Sequence, residues 1–196
     1  MAIEFKATKH SGHMPEIWRG EAKMLPAGFK PANTLEVGMV LHRGTPVFVD
    51  FEKRTAAVCK ATKVLAGSRI AYPRVAKGLY FAVGDSVTLA KDGAIKATIT
   101  SIDRSHPDYD SLNLSTSITG LAEGDILVEG DVAGVAKYTP NAVVGAVLEV
   151  KANTIPTIDV AYEAVVLYPS LATAILADWL NGFCLKSNPN ILFIKQ

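Results

Sequence analysis

The stretch Tyr80–Phe81–Ala82–Val83–Gly84–Asp85–Ser86–Val87–Thr88–Leu89 decides the fold class. Aromatic and β-branched residues fill its two halves, and Gly84–Asp85 divides them. Such side chains suit a strand because they pack well on a pleated surface, and a glycine lets the chain reverse with φ > 0. The same form recurs at Glu36–Val37–Gly38–Met39–Val40–Leu41 and at Ala122–Glu123–Gly124–Asp125–Ile126–Leu127. Each time a turn glycine is followed two residues later by a strand. The three occurrences are unevenly spaced, which implies shared local geometry and not a repeat array.

Downstream of Leu89, Lys91–Asp92–Gly93 carries the Asp-Gly signal of a hairpin, and Ala97–Thr98–Ile99–Thr100–Ser101–Ile102 alternates. A polar loop follows, then a second alternating run at Leu112–Asn113–Leu114–Ser115, then Ile126–Leu127–Val128. Short strands with turn signals about every 8–12 residues predict a small inserted SH3-like β-barrel over 68–137. Upstream lie Thr45–Pro46–Val47–Phe48–Val49, Ala56–Ala57–Val58–Cys59–Lys60–Ala61 and Lys63–Val64–Leu65. Beyond the insertion, residues 143–150 and 158–168 are longer strand candidates. Together 35–67 and 138–196 predict an anchoring β-domain, a barrel or sandwich. Pro169 opens one predicted short helix over 170–181, with Leu171, Ile175, Leu176, Trp179 and Leu180 on one side and Gly182 as its stop. The runs Phe183–Cys184–Leu185 and Ile191–Leu192–Phe193–Ile194 close the chain. The expected fold class is mainly β.

Residues 1–34 have a different texture. Pro15, Pro26 and Pro31 recur with Gly12, Gly20 and Gly28, which interrupts any helix or ladder. Large apolar groups are nevertheless frequent, so the segment reads as an extended arm lying on a surface. That surface is either its own domain or a neighbouring subunit. On the second reading Ile17, Trp18, Met24, Leu25 and Phe29 are the anchors, because aromatic and long aliphatic groups dominate interface hot spots.

Composition narrows the function classes. The 196 residues carry 20 Lys+Arg against 19 Asp+Glu, a net charge of +1, which supplies no general pull toward nucleic acid or an anionic membrane. Apolar residues make up 49% and charged residues 20%, an ordinary globular balance. No run approaches the roughly 18 apolar residues of a membrane span. The opening MAIEFKATKHSGHMPEIW lacks the apolar core of a signal peptide, so synthesis and folding in the cytoplasm are expected. Cys59 and Cys184 sit in separate apolar runs and read as buried small hydrophobes, with a single disulfide left open.

Motifs that would carry chemistry are sparse. The loop Asp103–Arg104–Ser105–His106–Pro107–Asp108–Tyr109–Asp110 holds three carboxylates, a hydroxyl and an imidazole, the types needed for acid–base work or a cation. Neighbours in sequence point away from one another, and the alternating ligands of a calcium loop are lacking, so a solvated turn is expected. His10, His13 and Glu16 have helical metal-ligand spacing, but Gly12 and Pro15 oppose a helix. His42 beside Arg43 reads as a surface pair at a turn. Lys53, Arg54, Lys60 and Lys63 are interleaved with acids and apolars, without the stripe of a nucleic-acid face. No phosphate loop, nucleophile elbow or zinc motif occurs. No catalytic, cofactor-binding or metal-ligating residues are expected, and no cofactor.

With the strands placed, the chain resembles the phage head-fibre proteins. The stretches that carry the likeness are Leu41–His42–Arg43–Gly44–Thr45–Pro46–Val47–Phe48–Val49–Asp50, Val58–Cys59–Lys60–Ala61–Thr62–Lys63–Val64–Leu65–Ala66–Gly67, residues 73–85, and the terminus Pro189–Asn190–Ile191–Leu192–Phe193–Ile194–Lys195–Gln196. The order of elements from Val144–Gly145–Ala146–Val147–Leu148 through Tyr168, the helix and the final hairpin is similar to the small head-decoration proteins of lambda-type phages. Those form trimers on the capsid and brace its local threefold sites. The resemblance implies a non-enzymatic virion subunit on the capsid exterior, a homotrimer bound to the major capsid protein. The alternative is a barrel that binds glycan on a host surface, with Tyr72, Tyr80, Phe81 and Tyr109 as its available aromatics, all of which except Tyr109 sit in strand-like positions and are expected in the core.

Overall fold

The computed structural model describes residues 17–90, 95–168, 171 and 173–195. The chain is mainly β, built on two sheets. The first contains a closed ring. β1 (Trp18–Pro31), β4 (Thr55–Val58), β3 (Pro46–Asp50), β11 (Ala142–Val144) and β13 (Ile158–Leu167) pair in that order, and β13 pairs back onto β1. β16 (Asn188–Ile194), β15 (Cys184–Leu185) and β14 (Leu180–Asn181) extend this sheet from β13. Closure satisfies the backbone groups that an open edge would leave to another chain.

The second sheet has six strands in the order β5 (Ala61–Lys63), β10 (Ile126–Glu129), β7 (Ser86–Leu89), β8 (Lys96–Asp103), β9 (Tyr109–Leu114) and β6 (Arg74–Ala76). Its two ends curl together, since the Leu65 N–H just past β5 donates to the Arg74 carbonyl of β6 at 2.9 Å. This sheet begins at Ala61, ahead of the expected residue 68, because β5 pairs with β10 across Lys63↔Ile126 and Ala61↔Val128. The strand-like run Val58–Cys59–Lys60–Ala61, without a glycine or proline, hides the point where the chain leaves one sheet for the other. A separate two-stranded piece joins β2 (Val40–Leu41) to β12 (Leu148–Glu149).

β1 occupies much of what reads from sequence as an arm. It runs antiparallel to β13, from Trp18↔Val166 to Phe29↔Ile158, with three register shifts along the way. These irregularities put extra residues on one strand or the other, so the two-residue alternation by which a strand is recognised is broken. Residues 1–16 lie outside the described residues.

The three glycine turns take one shape. Gly38, Gly84 and Gly124 have φ of 90°, 95° and 84°. The N–H of the following residue donates back to the carbonyl three before it: Met39 to Glu36, Asp85 to Ala82 and Asp125 to Ala122. A turn with φ > 0 at its third position takes glycine there. In two of them the aspartate seals the turn, its Oδ2 accepting the N–H of Ala82 at 2.7 Å or of Ala122 at 2.9 Å. The expected Asp92-Gly93 hairpin lies outside the described residues.

Three apolar cores follow. The ring interior holds Leu41, Val47, Val49, Ala56, Val58, Val144, Ile158 and Val160, together with Tyr80, which arrives from the connection between β6 and β7. The curled sheet encloses Val75, Phe81, Val87, Ile99, Leu112, Ile118 and Leu127. A third core joins the sheets, with Cys59, Ala61 and Val128 packed with Val143, Ala161, Val166, Trp179 and Phe193. Among the described residues of the predicted helix, Ala177–Trp179 form a 3-10 turn, which buries Trp179 in that core. Trp179 therefore keeps its expected apolar role without the full helix.

A close approach at Gly145 yields a first prediction. A Cβ there meets the Met24 sulfur at 2.9 Å and the backbone of Val160 and Ala161 at 3.2 and 3.3 Å. The thioether can swing aside, but the β13 backbone cannot. Gly145→Ala is expected to cost about 1–3 kcal/mol, read as a lower urea midpoint with unchanged slope.

Candidate functional site

Where the sheets meet, β4, β5, β7 and β10 bring ionisable side chains into a buried network. Lys60, between β4 and β5, has a fully buried side chain. Its ammonium lies 2.6 Å from Asp85 Oδ2 and 3.8 Å from Glu129 Oε2, and donates to the Thr34 carbonyl at 3.2 Å. Lys137 Nζ stands 3.3 Å from Glu129 Oε1. Asn33 donates to Glu129 at 3.2 Å and to the Val58 carbonyl at 2.9 Å, and accepts the Val58 N–H at 3.1 Å. Lys137 also lies 3.5 Å from the exposed Asp131 carboxylate, so two ammonium groups face the buried Asp85 and Glu129 and, at the rim, Asp131, and the arrangement ties the sheets together. Burial opposes the Lys137 charge, but the charge and hydrogen bond of Glu129 outweigh it and hold this ammonium above its ordinary range. A cleft of about 330 Å³ opens beside the network, lined by Asn33, Thr34, Asp85, Glu129 and Lys137 among others.

The neighbouring thiol is held in its protonated form. Burial pushes the Cys59 thiol well above its usual range, and the Glu129 charge adds to the effect. Both cysteines are free, Cys59 buried and Cys184 partly exposed. Iodoacetamide is expected to label Cys184 in the native protein and Cys59 only after unfolding. Equal labelling rates would show that the β4–β5 junction opens readily.

The polar loop between β8 and β9 is divided by the fold. Asp110 is buried, accepts the Gly78 N–H at 3.0 Å and pairs with Lys77 at 3.0 Å, so it braces β9. Lys77 also donates to the carbonyls of Arg104 and His106 and holds the loop from beneath. Asp108 points to solvent. Asp103, Ser105, His106 and Tyr109 turn toward a cleft of about 260 Å³ that Gly67, Arg69, Tyr72, Arg74 and Ser111 complete. Hydrogen bonds from the Ser105 hydroxyl and amide hold the Asp103 carboxyl below its usual 3.8.

The remaining candidates are placed as follows. Ile17 and Trp18 pack against the core between the sheets, Leu25 packs against the ring interior, and Phe29 is buried within it. Met24 is 44% exposed. The expected contacts to another protein are therefore, Met24 apart, set against the chain's own cores, because β1 is a wall of the ring. Arg43 stacks over Trp18 at 4.8 Å and donates to the Gly145 carbonyl at 3.1 Å. The His42 N–H donates to the Tyr80 hydroxyl, which also bonds Thr45. Tyr80 and Phe81 are core as expected, whereas Tyr72, expected there too, is 51% exposed because it sits on a tight turn opposite Arg69, and with Tyr109 it lines the cleft. His10, His13 and Glu16 lie outside the described residues. Among the described residues no group of three His, Cys, Asp or Glu side chains is arranged around a possible metal site, and no helix is long and apolar enough to cross a membrane.

Sequence reasoning passed over the Lys60 network. Lys60 looks there like one of several scattered cations, and only the pairing of β5 with β10 brings Glu129 to it.

Scans against family models, curated proteins and solved structures return no match to this chain.

Proposed function

We propose that the chain is a non-enzymatic structural subunit of a bacteriophage head, a fibre or decoration protein that attaches to the capsid exterior as a homotrimer. The observation that carries this reading is an apolar end on the closed ring. Phe51, in the turn between β3 and β4, is 58% exposed, and Ile155, just before β13, is 77% exposed. Lys30 pairs with Thr55 at the start of β4, and Phe29 pairs with Ile158 at the start of β13, so both residues lie at the same end of the ring. Phe29 packs edge-on beneath Phe51, with ring centroids 5.9 Å apart. These two exposed apolar groups, with the exposed charges of Glu52, Lys53 and Arg54 in the same turn, fit the apolar centre and polar rim of a surface that another protein covers. The buried charges are engaged in joining the sheets, which suits a stiff building block better than a reactive centre.

Many weak symmetric contacts on one shell reinforce one another, so each subunit needs only a modest patch. The test joins two measurements. Light scattering is expected to give three times the chain mass, and chain co-expressed with its capsid protein is expected to co-sediment with heads. A monomer that stays in the supernatant rejects the reading.

A further inference from the structure

We propose that the cleft between the 69–72 turn and the β8–β9 loop binds one carboxylate-bearing sugar residue of an acidic polysaccharide. The inference stands on the cleft alone and does not depend on attachment to a capsid.

Arg69 and Tyr72 face each other across a tight antiparallel bridge, their backbones bonded both ways at 3.2 and 2.9 Å. Residues directly opposite in such a pair put their side chains on one face. Tyr72 is 51% exposed and offers an aromatic surface at the cleft rim. Arg74 is set deeper, its guanidinium 4.5 Å from the Tyr109 ring centre, while the His106 ring stacks on Tyr109 at 3.9 Å. Gly67 makes room for it, since a Cβ there would fall 2.5 Å from Arg74 Nη1. The Asp108 amide donates to His106 Nδ1 at 3.2 Å, which fixes the ring against the loop.

Each group suits one part of an acidic sugar. The guanidinium groups match a carboxylate in geometry and charge. The open Tyr72 ring matches the apolar C–H face of a pyranose, since an aromatic side chain combines an apolar body with a polar tip. Asp103, Ser105 and Ser111 accept from or donate to ring hydroxyls. Two arginines against one aspartate leave the lining net positive, which favours an acidic sugar over a neutral one. The volume of about 260 Å³ lies just under the roughly 300 Å³ at which drug-sized sites begin, so it suits a single ring. Lys77 fixes the loop from below, so the cleft is formed before any ligand arrives.

The test is calorimetric titration of the full chain with polygalacturonate, hyaluronate and polysialic acid. Neutral dextran, inorganic phosphate and a single-stranded oligonucleotide serve as comparison probes. Saturable binding to at least one acidic glycan, with dextran and phosphate silent, is expected. Arg69→Ala and Tyr72→Ala, both at exposed positions, are each expected to weaken it about tenfold or more. Lys186→Ala, on the turn between β15 and β16, is expected to leave it unchanged. Silence with all three acidic glycans overturns the proposal, as does an oligonucleotide that binds as tightly as the best glycan. Equal loss in Lys186→Ala, or none in the two cleft variants, also overturns it.

Discussion

Lys60→Met is expected to destabilise the protein by about 3–5 kcal/mol. Methionine fills nearly the same space, so the loss is electrostatic and not a cavity effect. Without the ammonium, Asp85 loses its 2.6 Å partner and Glu129 retains only Lys137 and Asn33, while both carboxylates stay buried. Removing one member of a buried ion group leaves the others uncompensated in a medium that solvates them poorly. The exposed pair Lys23–Glu163, 2.7 Å apart, is the contrast, because water already solvates both charges. Its removal is expected to change stability very little. Urea unfolding of both variants decides the matter. An unmoved midpoint for Lys60→Met would mean that the network contributes nothing to joining the sheets.

The second large effect is expected at the apolar end of the ring. On the proposed role as a head subunit, replacing Phe51 and Ile155 together by serine is expected to weaken attachment by about 2 kcal/mol or more, roughly thirtyfold or greater in affinity. Ile155 is the more exposed of the two and has little native packing to lose. Phe51 surrenders its edge contact with Phe29, worth about 0.5–1.5 kcal/mol. The two readouts therefore separate. A variant that falls off heads yet keeps most of its folding stability supports the apolar end as the attachment surface. A variant that attaches as well as the parent transfers the interface elsewhere, with exposed Met24 on β1 as the next candidate.

Much of the architecture was legible before any coordinates. Gly38, Gly84 and Gly124 announce turns because only glycine accepts the positive φ that the geometry requires, a local constraint that needs no knowledge of the rest of the chain. The strand character of 46–50, 86–89 and 158–167 follows from side-chain type and alternation, which are equally local. The aromatic core roles of Tyr80 and Phe81 follow in the same way. Residues 18–31 were less legible, since bulges against β13 erase the alternation that marks a strand. The helix beyond Pro169 was overestimated. Its apolar spacing was read as a helical face, yet Trp179 reaches the inter-sheet core from the 3-10 turn Ala177–Trp179, and Leu176 from the extended residue before it.

The amino-acid order alone determined that this chain would be built of short strands and tight glycine turns, because those choices are made within a few residues. Only the folded molecule decided which strands close into a ring and which curl beside it, since pairing joins residues far apart in the chain. It also decided that Lys60 meets Asp85 and Glu129, and that Arg69, Tyr72, Arg74 and His106 share one cleft. Those meetings arise from sheet register, and register is a property of the whole core.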